Sequence, residues 1–175
     1  MIDSEKTRHL VLHDYGMGGL WWWVRARSAE ETVLRAAEVE VITHPEVIAR
    51  CADWALDEVD LDAPDPNPLS SLRARRTAHR AHPDFGKLAG RERVYLKYSE
   101  NDYDGLYFLV ELGSDGRTLR GVEVRADGTG YKTDQDDVPF NPPTDLHDPQ
   151  YAPMETTAEA FHAAWDRAER EPEEG

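Results

Sequence analysis

Apolar and polar positions alternate along residues 8–15, with Leu10 and Leu12 on one side and His9, Val11 and His13 on the other. That is the period of a strand. Gly16-Met17-Gly18-Gly19 follows and predicts a chain reversal, because glycines accept positive φ without steric cost. Residues 20–27 resume the alternation as a second strand, with Trp21, Trp23 and Arg25 on one face and Leu20, Trp22, Val24 and Ala26 on the other. Three tryptophans in a row cannot all face one core in a strand. At least one indole is expected on the outer face, where another layer of protein or a partner must cover it.

The period then changes. Ser28-Ala29-Glu30-Glu31 has the form of a capping box and opens a helix that turns Val33, Leu34 and Ala37 inward. Glu38 to Ile42 alternates as a short strand. Thr43-His44-Pro45-Glu46 opens a second helix, with Thr43 as the expected cap and an apolar stripe of Val47, Ile48, Cys51, Ala52 and Ala55 flanked by Trp54. Residues 57–68, acidic and rich in proline, predict a surface connection. A basic helix is expected over 69–80 and a loop over 82–90.

The second half carries the clearest signal. Apolar runs at 94–98, 106–112, 119–125 and 129–132 are punctuated by turns at Asp115-Gly116 and Asp127-Gly128, which predicts an antiparallel meander. Its expected core face combines Leu106, Phe108, Val110 and Leu112 with Val122 and Val124. Residues 138–153 hold five prolines and predict an extended wrap covering a sheet edge. A capping box at Thr156-Thr157-Ala158-Glu159 starts a last helix with Phe161, Ala164, Trp165 and Ala168 on one stripe, expected to dock on the meander. The whole reads as one α+β domain over residues 1–175. It combines an antiparallel or mixed sheet of about six to seven strands with three to four helices mainly on one face. Two halves stand out within it, a β-β-α-β-α unit at 1–56 and the meander with its helix at 93–170.

Composition narrows the function classes. A formal charge of −15 disfavours nucleic acid and anionic membrane over most of the surface. The exception is the stretch from Arg73 to Arg93, which holds seven basic residues against Asp84 and Glu92. A solvated helix folded against acidic neighbours accounts for it, since no aromatic or glycine-rich nucleic-acid motif accompanies it. The single cysteine, Cys51, fits a reducing cytoplasm. No apolar run approaches the ~20 residues that span a bilayer, and the first residues lack the apolar core of a signal peptide. The expectation is a cytoplasmic protein.

Residues 93–168 resemble a group of small uncharacterised bacterial domains. The likeness rests on Asp115-Gly116, Arg120-Gly121-Val122-Glu123, Asp127-Gly128, Pro142-Pro143 and Phe161 to Trp165. This chain departs from the pattern in having Ala160 where an acidic residue often precedes the Phe. The front half is similar to uncharacterised proteins of actinobacterial type. The resemblance implies an immunity or accessory role beside toxin systems, and it implies no catalytic residue.

Candidate chemistry remains sparse. His13-Asp14-Tyr15 could form an acid/base cluster, but neighbours alternate sides in a strand, and turn or cap roles explain Asp14 and Tyr15 equally. His79 and His82 have a metal-ligand spacing without a third ligand, and Pro83 follows at once. Gly16-Met17-Gly18-Gly19 leads into a strand and is no dinucleotide fingerprint. The acidic stretch with Asp60 and Asp62 lacks the glycine and terminal glutamate of a calcium loop. The reading is a non-enzymatic, protein-binding protein without cofactor or metal. Its partner, a basic toxin or enzyme, would be met by a Trp-rich face (Trp21, Trp23, with His13 and Tyr15) and an acidic surface (Asp60, Asp62). The alternative is a small-molecule-binding protein or enzyme with a pocket lined by Trp21, Trp23, His13 and Tyr15.

Overall fold

A computed structural model describes residues 5–14, 19–99, 105–137 and 140–170. The predicted reversal at 16–19 and the side chain of Tyr15 fall mostly outside them. The protein is α+β, and its described residues form two mixed sheets of four and five strands and four α-helices. Its contacts divide it into two compact units, Met1–Phe85 and Gly86–Gly175. The elements expected of one larger sheet are thus shared between two smaller ones. No helix among the described residues is long and apolar enough to cross a membrane.

The first unit is built on β1 (Thr7–Asp14), β2 (Gly19–Ala26), β3 (Glu40–Ile42) and β4 (Glu58–Asp60), in the order β3-β1-β2-β4. β4 runs parallel to β2, and the other pairs are antiparallel. The strand β4 corrects the expectation of a plain surface connection at 57–68. Val59 and Leu61, two positions apart, both enter the core although acidic residues surround them.

Helices α1 (Ala29–Arg35), α2 (Pro45–Cys51) and α3 (Ser70–Arg80) complete the unit. They do not gather on one face, as expected, because the sheet has a core on each side. Val11, Trp22, Val24 and Val59 pack with Ala36, Leu69 and Leu72. Leu10 and Trp23 pack with Cys51, and Trp21, Ile42, Val47 and Ile48 lie against them. Ser28 caps α1 by accepting from the Glu31 N–H, as its capping box implies. At α2 the capping position is taken by His44 without a side-chain bond, so Thr43 does not serve.

The second unit orders its strands β5 (Arg93–Ser99), β6 (Tyr107–Gly113), β7 (Thr118–Val124), β8 (Gly130–Asp134) and β9 (Glu169–Arg170). The first four form the expected meander, and β9 lies parallel on β8. Both Asp-Gly turns place their glycines at positive φ, 83° for Gly116 and 85° for Gly128. Helix α4 (Ala158–Arg167) is capped by Thr157, one residue after the start of the predicted box. Its Phe161, Ala164 and Trp165 dock on Leu109, Val122 and Val124.

The register corrects the predicted core face. Leu109, not Val110, stands opposite Val122, so Val122 and Val124 share a face with the odd-numbered positions of β6. Val110 and Leu112 face the other way, packing with Val94, Leu96, Leu88 and Leu146. Both sides of β6 are apolar, so alternation alone could not choose between them. The proline-rich segment is not fully extended. It contains a 3-10 turn at Pro149–Met154 and reaches the edge of β5 through a Leu96–Glu155 bridge and a 2.9 Å bond from the Thr156 N–H to the Tyr95 carbonyl.

Candidate functional site

Of the predicted site residues, Trp21 and Trp23 share the α2 face of the first sheet, whereas His13, opposite Leu20, lies on the other face. Trp22 and Trp23 are 6% and 5% exposed, each under a different helical layer. Trp23 also lies beneath the Arg8 guanidinium, 4.1 Å from the ring centre. His13 is half-buried, and its Nδ1 lies 2.9 Å from the Glu38 carbonyl oxygen. Tyr15 lies outside the described residues.

Asp60 and Asp62 do come together, in company with cations. Lys6 Nζ hydrogen-bonds both carboxylates, at 2.6 Å in the case of Asp62. Arg35 Nη1 reaches Asp62 at 2.5 Å and Glu31 at 3.1 Å, and Arg27 adds a 2.7 Å contact to Glu31. The Lys6 and Arg35 bonds hold the Asp62 carboxyl down to about 2. Lys6 likewise lowers Asp60. The acidic stretch is an ion-pair network that ties β4 to the start of β1 and the end of α1.

Among the described residues of the first unit, the large apolar side chains that remain exposed are Leu20 and Trp54. Trp54, just past α2, is 45% exposed, and its ring meets half-buried Trp21 edge-on at 5.8 Å between centres. β2 places Trp21 on the α2 face, opposite Leu12. The turn after Cys51 brings Trp54 over it, with the Trp54 N–H donating to the Cys51 carbonyl at 3.1 Å. Glu46, Asp53 and Asp57, on α2 and beside Trp54 in the chain, are exposed. Trp54 was visible in the sequence only as a residue flanking the helix stripe. Its exposure became legible once the stripe had an orientation.

The basic stretch is largely absorbed within the units. Arg80 donates to the Leu34 carbonyl at 2.7 Å and buried Arg76 to the Ala36 carbonyl at 3.2 Å, so α3 caps the end of α1. Arg75 bonds Glu38 at 2.5 Å and Arg73 the Ala63 carbonyl at 2.6 Å. Arg91 pairs with Glu155.

The second unit contains a buried charge under α4. Glu111, 6% exposed, accepts from Arg120 Nε at 2.5 Å and from the Tyr95 hydroxyl at 3.2 Å, with Arg93 at 3.5 Å. Burial pushes its carboxyl up, but the Arg120 bond and charge outweigh that and hold it below the usual range. The Arg120 guanidinium lies over Trp165 and Phe161, at 4.9 and 5.2 Å, and within 3.2 Å of His162 Nε2. Arg120 joins this cluster to α4 through His162 and the faces of Phe161 and Trp165, an arrangement suited to docking a helix.

Among the described residues, no group of three or more His, Cys, Asp and Glu side chains is placed to hold a metal ion. No family model matches the chain, no curated protein matches its sequence, and no solved structure matches its fold.

Proposed function

We propose that this chain is a non-enzymatic accessory or immunity-type protein that binds a basic protein partner through the Trp21–Trp54 surface of its first unit. The observation that carries this reading is the Trp54 indole, 45% exposed and held edge-on by Trp21. An indole face attracts Lys and Arg side chains, and tryptophans recur among the residues that dominate protein interfaces. Exposed Asp53 and Asp57, near Trp54 in the chain, supply negative charge, and the chain as a whole carries −15. That charge speeds the approach of a basic partner, while the aromatic pair slows its departure.

This reading moves the contact from Trp23, Asp60 and Asp62 to Trp54. Affinity capture from the host lysate tests it, with wild type, Trp54→Ala and the Asp53→Lys/Asp57→Lys double variant side by side. The expected result is a basic protein retained by wild type, lost on Trp54→Ala and weakened by charge reversal. Retention indifferent to all these changes would overturn it.

A further inference from the structure

The second unit holds a cavity of about 340 Å³ on the face of its sheet opposite α4. Its floor is apolar, made by Leu96 of β5, Val110 and Leu112 of β6, and Met154. Four hydroxyl-bearing residues, Thr118, Thr144, Tyr98 and Tyr151, also line it, and Ser99 borders it at the end of β5. The described residues lining it bear no formal charge.

The walls are fastened independently of any ligand. On one side, Gly116 approaches Thr144 so closely that the Thr144 N–H donates to its carbonyl at 2.9 Å. The Asn141 side chain pairs with the Thr118 backbone in both directions, donating to the carbonyl at 2.7 Å and accepting from the N–H at 3.0 Å. On the other side, the 3-10 turn that carries Tyr151 and Met154 is capped by Asp148, which accepts from the Gln150 N–H at 2.9 Å. Residues 155–156 then stitch it to β5. Stacked Tyr98 and Phe108, 5.4 Å apart, extend the aromatic surface beside the rim.

We infer that this cavity is a binding site for a neutral aromatic small molecule with a hydroxyl or amide edge. A charged ligand would lose its hydration with no countercharge among the described lining residues to replace it. A purely aliphatic one would leave the Thr118 and Thr144 hydroxyls unmatched. A flat ring suits the apolar floor and the polarisable Met154 sulfur, and its polar edge suits the threonines. Because the walls are already held by hydrogen bonds of the fold, little ordering opposes binding. The site lies wholly within the second unit and is independent of the Trp54 surface.

The test uses the full chain with p-cresol and benzamide as neutral probes, and benzoate and benzylamine as charged counterparts. Binding is followed by amide chemical shifts. The neutral probes should bind with dissociation constants of about a millimolar or below, as befits ligands of this size. They should shift the amides of Tyr98, Thr118, Thr144 and Tyr151 together, and the charged probes should not. Thr144→Val, which keeps shape and removes one hydroxyl, should weaken binding about fivefold. Val110→Phe should abolish it by filling the floor. Should Val110→Phe fail to fold, the shift map and Thr144→Val still decide. Absence of shifts with the neutral probes, shifts elsewhere, equal binding of the charged probes, or indifference to Thr144→Val would each overturn the site.

Discussion

Trp22 and Trp23 are consecutive residues of β2, and each is the large side chain of a different core. Trp22 packs under α1 and α3 with Val11 and Val24, and Trp23 under α2 with Leu10 and Cys51. Strand alternation requires the separation, and helices on both faces make it stable. The native protein should therefore emit at short wavelength, with a quenchable minority from Trp54. Acrylamide quenching checks this, since Trp54→Phe should remove most of the accessible fraction. Trp22→Ala should cost about 3–5 kcal/mol of stability, as for other large core aromatics. Trp54→Ala should cost far less.

Glu111 and Arg120 form a pair whose two members differ in exposure, at 8% and 30% of the side chain. Removing one partner of a buried pair leaves the other charge without its countercharge. Arg93 and Tyr95 still face Glu111 if Arg120 is lost, which softens the penalty. Arg120→Ala should destabilise the second unit by roughly 2–3 kcal/mol, at or just under the low end for buried pairs. A double-mutant cycle with Glu111→Gln, read by urea unfolding, should return a favourable coupling. Additive effects would show that the pair is incidental to the docking of α4.

Much of this architecture is legible in the sequence. The Asp-Gly turns, the alternation in β1 and β2 and the stripe of α4 each rest on local rules that tertiary packing did not disturb. The misses have physical causes. In β4 the alternating signal of Val59 and Leu61 lay inside an acidic, proline-bounded run, and composition outweighed period. In β6 both faces are apolar, so only the register with β7 could assign them. The charge of Asp60 and Asp62 pointed outward on paper because their cations come from Lys6, Arg27 and Arg35, 27 or more residues distant. No sequence rule for the Trp triplet could distinguish a covering helix from a partner until α2 was seen to cover Trp23.

Gly116 and Gly128 have nearly the same backbone, φ 83° and 85°, but different surroundings. A Cβ on Gly128 would meet nothing within 4 Å, whereas one on Gly116 would lie 2.1 Å from the Thr144 carbonyl oxygen. Gly128→Ala should therefore cost only the left-handed backbone penalty, about 1 kcal/mol. Gly116→Ala should cost at least twice that, because either the turn or the 141–144 segment must move. Thermal unfolding of the two variants makes the comparison. Equal losses would mean that the segment yields freely.

The Lys6, Asp60, Asp62 and Arg35 network contributes to the acid response of the first unit. Asp62 is held down to about 2, below the value of an unfolded aspartate. A carboxylate lowered in this way stabilises the fold above its unfolded pKa and loses that contribution as pH falls toward the folded one. The contribution should be full above about pH 5 and mostly gone near pH 2. The Asp62 side chain is 40% exposed, so solvent screening keeps the effect small and sensitive to salt. Trp165 is the one tryptophan of the second unit, so a Trp165→Phe background lets fluorescence report on the first unit alone. In that background, Asp62→Asn should lower stability at pH 7, and the gap should close progressively between pH 5 and pH 2. A gap that stayed constant across this range would show that Asp62 acts through packing and not through its charge.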